Sequence, residues 1–134
     1  MIVQILGTWC PNCMDETRYL VELYEKFNDQ GLEVIGLDFE PKPTLAYFKS
    51  RMARYRKDLN VPYTVLLAGH SDKNKAAEAL PMLNQILSFP TTIILDKSGS
   101  IREIHTGFSG PGTGIEYENY SRETEALIKG LLRE

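Results

Sequence analysis

The sequence predicts a single α/β domain whose central five-stranded mixed sheet is flanked by helices. Three observations carry that expectation. Short apolar runs alternate with stretches of helical periodicity in the order β-α-β-α-β-α-β-β-α, which implies right-handed crossovers and a parallel sheet covered on both faces. The last two strand-like runs are joined by Asp96-Lys97-Ser98-Gly99, turn chemistry that makes them an antiparallel hairpin. The length, 134 residues, is that of one domain and is enough to bury a core without staples.

The elements follow in order. Ile2 to Leu6 is a short apolar run with one polar residue, Gln4, and reads as a buried strand. A helix is expected from about Pro11 to Asp29, because Tyr19, Leu20, Leu23, Tyr24 and Phe27 recur at helical spacing. Pro11 suits its first turn, where a missing N–H costs nothing, and Gly31 marks its end. Leu32 to Leu37 is a second strand, and Asp38 to Pro43 reads as a turn. Thr44 can cap a helix running to about Leu59. Val61 to Leu67 is a third strand, with Pro62 placed as an edge strand permits. Asp72 opens a helical stretch over 73–87 that Pro81 should kink or split. Thr92 to Leu95 and Ile101 to Thr106 form the hairpin. The loop GFSGPGTG, 107–114, reads as a glycine-permitted link into a last helix, from about Glu116 or Tyr120 to Leu132. Tyr117 and Tyr120 should pack that helix or its approach.

Composition narrows the function. The chain is 43% hydrophobic and 25% charged, ordinary for a globular protein, and its net charge of −3 argues against a nucleic-acid partner. Arg51, Arg54, Arg56 and Lys57 cluster, but read as the wet face of a helix. No apolar run approaches the ~20 residues that a membrane span needs, and no signal peptide is visible. Met1 sits directly on a core strand, which suggests a trimmed or detached piece of a longer protein, so the missing leader says little about compartment.

The two cysteines, Cys10 and Cys13, carry the chemistry. A structural staple gains more from a longer loop, so a pair this tight points to redox chemistry or to half of a metal site. Cys10 falls at a strand-to-helix junction, where free N–H groups and the helix dipole favour a thiolate. Cys13 lies almost one turn later, within reach of Cys10. The expected cycle has Cys10 attack a partner disulfide, or be attacked itself when oxidised, and Cys13, deeper and less exposed, resolve the mixed disulfide.

The stretch GTWCPNC resembles the active site of thioredoxin-like proteins, and its surroundings resemble the TlpA and ResA group of thiol–disulfide interchange proteins. The segment Ser88 to Ile101 resembles the one that carries a cis-proline opposite the active site in that group, and Pro90 is the matching proline. The stretch from about Thr44 to Leu67 resembles the insertion of the TlpA-like group. The resemblance covers nearly all of 1–134, except that a further β-hairpin before the first strand is missing, as is any signal or anchor segment. It implies a thioredoxin fold with that insertion, with strands near 64, 33, 2, 92 and 101 side by side in that order. It also implies roles: Cys10 and Cys13 catalytic, Trp9, Pro11 and Asn12 shaping the site, and Trp9, Phe89 and Pro90 meeting a substrate strand by β-augmentation. Glu16, three residues after Cys13 and on the same helix face, matches a glutamate thought to assist proton transfer. The alternative for Glu16 is an exposed acid favoured by the first helical turn. Thioredoxin itself has a buried aspartate six residues before its first cysteine; Gln4 stands there and takes up no proton.

The resemblance implies no cofactor beyond the Cys10–Cys13 disulfide, protein thiols and disulfides as partners with an upstream electron donor, and a bacterial periplasmic or membrane-anchored setting, although a cytoplasmic reductase would look similar. Other readings compete. A copper or zinc module would need two more ligands, and only His70 and His105 are available. His70 reads as a loop residue and His105 as a strand residue. Related peroxiredoxins place a threonine three residues before the reactive cysteine; Gly7 stands there, which disfavours a peroxidase. A thioredoxin-fold binding domain without catalysis is the remaining alternative.

Overall fold

The computed structural model describes residues 1–72, 75–76 and 88–134. Five strands, β1 (Ile2–Leu6), β2 (Val34–Glu40), β3 (Thr64–His70), β4 (Thr91–Leu95) and β5 (Ile101–Thr106), form one sheet in the order β3-β2-β1-β4-β5. This is the expected order. β1, β2 and β3 run parallel, whereas β4 lies antiparallel to β1 and β5 antiparallel to β4. Three helices, α1 (Pro11–Phe27), α2 (Leu45–Leu59) and α3 (Ile115–Leu132), are described. Of the helix expected over 73–87, with its break at Pro81, all but Lys75 and Ala76 lies outside the described residues.

Apolar side chains alternate across β1. Ile2 and Leu6 face a large core shared with Leu20, Leu23 and Phe27 of α1, Met52, Tyr55 and Leu59 of α2, and Ile128 and Leu131 of α3. Ile5 faces the opposite side, with Phe39, Ala76 and Ile93. Burial of these faces supplies the main stabilising term. Gly36 lets the central strands sit close to the core: a Cβ there would lie 3.0 Å from Leu6 Cδ2 and 3.1 Å from Val65 Cγ2.

The helix ends obey local rules. Cys10 caps α1, with Pro11 in its first turn, and Thr44 Oγ1 caps α2 by accepting from the Tyr47 N–H. α1 ends earlier than Asp29, giving way to a short 3₁₀ turn, Asn28–Gln30, before Gly31 in a left-handed conformation. The closing loop carries the 3₁₀ turn Pro111–Thr113 and leads into α3 at Ile115.

Four expectations need correction. β2 does not stop at Leu37 but continues through Asp38, Phe39 and Glu40, because pairing with β3 persists past a bulge between Asp38 and Phe39. β3 is displaced correspondingly. It starts at Thr64, after Pro62, and ends at His70, which is therefore a strand residue beside Glu40 and not a loop residue. β4 begins at Thr91, one residue early. Finally, Arg51 and Arg56 are not merely a wet face: Arg56 Nη1 donates to the carbonyls of Val61 and Tyr63, securing the entry to β3. Arg51 serves the site described next.

Candidate active site

The site forms where β1 ends and α1 begins. Leu6, the last residue of β1, pairs with Asp38, and Ile5 pairs with Thr91 at the start of β4. The turn Gly7-Thr8-Trp9 thus emerges between the end of β2 and the approach to β4. Cys10 closes this turn, its N–H donating to the Gly7 carbonyl at 3.1 Å.

Both cysteines are free thiols, and both are buried: Cys10 is 6% exposed and Cys13 0%. Cys10 Sγ accepts from the Cys13 backbone N–H at 3.2 Å, satisfying one of the orphan donors of the first turn of α1. The Cys10 thiol is lowered to about 7, foremost by the hydrogen bond of the Cys13 side chain; burial opposes this, and the N–H groups of Cys13 and Asn12 assist. Cys13 is pushed strongly upward, first by its bond to Cys10 and then by burial. The two thiols are therefore split into one that ionises near neutrality and one that holds its proton.

Phe89 and Pro90 face Cys10, joined by a cis peptide bond as the resemblance implies. The Cys10 thiol lies 3.8 Å from the Phe89 carbonyl oxygen, to which it donates. Trp9 is 42% exposed, packs edge-on against Phe89 at 5.3 Å between ring centroids, and donates its indole N–H to the Phe39 carbonyl at 2.9 Å. Its ring lies over Gly7, where a Cβ would come within 2.1 Å of Trp9 Nε1. Pro11 and Asn12 are exposed between the cysteines.

Glu16 is fully buried, so the exposed-acid alternative does not hold. Thr92 Oγ1 donates to its Oε2 at 2.7 Å, whereas Oε1 has no partner. Burial raises its carboxyl to about 7, against the lowering contacts of Thr92 and Gln4 and with a contribution from Cys10. Gln4 is neutral but occupied: its Nε2 donates to the Cys13 carbonyl, and its Oε1 accepts from Thr17 Oγ1, which also bonds the Tyr55 hydroxyl.

Sequence reasoning missed a second group. Thr8 donates both its N–H and its hydroxyl to Glu40 Oε1, while Arg51 donates from Nε to Thr8 Oγ1 and from Nη2 to the Thr8 carbonyl. Asp38, two residues from Glu40, is equally buried, and neither of its carboxyl oxygens has a hydrogen-bond partner. The available signal was Phe39: an aromatic between two acids continues the strand alternation of Leu37, putting both acids on the other face.

His70 and His105 stand apart from the cysteines. His70 Nδ1 accepts from the Asp72 N–H, and the His105 ring packs against Tyr120 at 4.5 Å. Among the described residues, no group of three or more His, Cys, Asp and Glu side chains is arranged to hold a metal. Among them, too, no helix is long and apolar enough to cross a membrane.

Comparison with known proteins agrees with this geometry. The AhpC/TSA family matches residues 1–104. The chain is 29% identical to the thiol:disulfide interchange protein DsbE of Pasteurella multocida over 107 residues, covering 80% of this chain and 50% of that protein. It is 30% identical to the thiol-disulfide oxidoreductase ResA of Geobacillus kaustophilus over 102 residues, 75% of this chain and 51% of that protein. The chain thus spans about half the length of these curated relatives. The crystal structure of a thiol:disulfide interchange protein of the thioredoxin family from Chlorobium tepidum superposes with a TM-score of 0.71 at 20% identity, covering 98% of this chain and 78% of that one, which shows the thioredoxin fold. The chain belongs to the AhpC/TSA family, as a TlpA/ResA-like member of the thioredoxin superfamily.

Proposed function

We propose that the chain is a thiol–disulfide oxidoreductase that exchanges a disulfide with protein partners through Cys10 and Cys13. The observation that carries this reading is the split between the two thiols: Cys10 ionises near neutrality at the start of α1, and the buried Cys13 holds its proton within one turn. In the reducing direction, the Cys10 thiolate attacks one sulfur of a partner disulfide. That S–S bond breaks, a mixed disulfide forms, and the departing partner thiolate takes a proton. Cys13 then gives its proton to Glu16 and attacks Cys10 Sγ. The second partner sulfur leaves as a thiolate and takes a proton in turn, so the partner departs as a dithiol, and two electrons have moved to it from the Cys10–Cys13 pair. An upstream donor dithiol restores the pair by the reverse sequence. No other cofactor is required.

Glu16 suits the proton step because a carboxyl that titrates near neutrality both accepts and returns a proton there. Trp9, Phe89 and Pro90 form the surface on which the partner strand lies, and Pro11 and Asn12 shape the approach and tune the potential. The names of the relatives support protein thiols as partners. The same resemblance supports a periplasmic or membrane-anchored setting in a bacterium.

The deciding experiment equilibrates the protein in glutathione or dithiothreitol buffers and follows insulin-disulfide reduction, with Cys10→Ser and Cys13→Ser beside it. A reversible two-electron titration is expected, with activity lost in Cys10→Ser and a trapped mixed disulfide in Cys13→Ser. A pair that does not cycle, or that binds zinc or copper stoichiometrically and stays inert, overturns the reading.

A further inference from the structure

We propose that Asp38 and Glu40 form a one-proton acid pair that positions the Thr8–Trp9 turn, and with it Cys10, from the end of β2. The inference extends the proposed function, but it concerns how the turn is held and not whether thiols exchange.

The geometry is that of a latch. Two residues of the strand end, Phe39 and Glu40, hold two consecutive residues of the turn, with Asp38 buried beside them. Glu40 Oε1 takes both donors of Thr8, and the Phe39 carbonyl takes the Trp9 indole N–H. Arg51 closes the latch from α2 by gripping the hydroxyl and carbonyl of Thr8. Cys10 follows directly, tied back to Gly7 on the other side of Thr8. The position of the nucleophile therefore depends on a strand end that the catalytic cycle does not otherwise use.

The charge state follows from burial. Asp38 and Glu40 lie two apart on one face of β2, and both are fully buried. The charged and titratable groups about them are few. α2 brings Arg51 and Tyr55, β3 sets His70 in register with Glu40, and the cap and first turn of α1 bring Cys10 and Cys13, which act on Tyr55 together with Asp38. Only Arg51 is a permanent cation among these. One cation neutralises one carboxylate, so the second carboxyl keeps its proton. Asp38 is the holder: burial first, and then the charge of Glu40, raise it to about 8, against Thr8 and Arg51. When that proton leaves to solvent, the pair carries a second, uncompensated buried charge. Water entry or displacement of the strand end relieves it, and either loosens the bond from Trp9 to the Phe39 carbonyl.

Trp9 is the only tryptophan of the chain and so reports on the latch directly. Its emission is followed against pH in the full chain and in Cys10→Ser, where thiolate formation at Cys10 no longer contributes. A one-proton transition is expected near pH 8 in both. Asp38→Asn should abolish it, and Glu40→Gln should move it at least one pH unit lower by removing the neighbouring charge. In the full chain, the rate at which iodoacetamide alkylates Cys10 should show the same added transition above that of the thiol itself. A purely structural role predicts lower stability in both variants with the transition unmoved. The inference fails if there is no transition in Cys10→Ser, if Asp38→Asn retains it, or if Glu40→Gln leaves its midpoint in place. Should Asp38→Asn not fold, the Glu40→Gln shift alone decides. Loss of disulfide exchange with the transition intact would refute the proposed function and leave the latch standing.

Discussion

Replacing Glu16 by Gln should change how stability depends on pH, and the size of the change can be worked from the burial of one carboxyl. Glu16 is raised from 4.5 to about 7 in the folded chain, with burial as the main cause. Below pH 4.5 the acid is neutral in both folded and unfolded chains and has no linked effect. As pH rises toward 7, the unfolded chain releases this proton while the folded chain retains it, so the wild type loses stability. Above 7 the carboxylate is charged in both states and the loss stays constant. The gap from 4.5 to about 7, at ~1.36 kcal/mol per pH unit, comes to about 3 kcal/mol. Glu16→Gln keeps the shape and drops the titration. Its stability relative to wild type should therefore rise by about 3 kcal/mol between pH 4.5 and 7.5. Urea denaturation of both reduced proteins across this range measures the difference, and other titrating groups, Cys10 included, cancel in the comparison to the extent that the substitution leaves them unperturbed. Two stability profiles that stay parallel would refute the reasoning, because they would mean that the folded and unfolded chains bind this proton equally.

Two other substitutions probe the surroundings. Gly7→Ala places a Cβ within 2.1 Å of Trp9 Nε1, so the indole must leave its bond to the Phe39 carbonyl. Trp9 emission should shift, and disulfide exchange should slow about tenfold or more through misplacement of the turn. Phe108→Ala removes a buried ring stacked on Tyr19 at 5.9 Å between centroids; it should cost about 3 kcal/mol in a chemical melt, with the Cys10 alkylation profile unchanged.

How much of this was legible in the sequence differs between frame and site. The strand order followed from alternation, the Asp96–Gly99 turn and the resemblance, because local periodicity and short connections restrict the topology. Cys10 at the helix start was legible for the same reason: its position is set by a junction between two periods. Asp38 and Glu40 were not. In isolation, acids followed by two prolines read as a turn; pairing of Asp38 with both β1 and β3, and of Glu40 with β3 past a bulge, draws them into the sheet. Arg51 was obscured likewise. Its helix face looks wet by composition, and what engages it is Thr8, a residue 43 positions away. Glu16, once buried, is met by Thr92 of β4, a contact that no local pattern could disclose.

The order in which a ribosome delivers the chain gives the cover of α1 a temporal meaning. Tyr19 lies against Phe108, Tyr117 and Tyr120, and the core around Leu20 is completed by Ile128 and Leu131, all about 100 residues downstream. β1 finds one of its two neighbours, β4, about 90 residues further along the chain. Both thiols are thus made well before the side chains that complete the core against α1. Until those residues emerge, the face of α1 that carries Tyr19 and Leu20 has no cover from α3. A nascent chain stalled before α3 therefore carries the Cys10–Cys13 motif at the head of a helix whose core is unfinished.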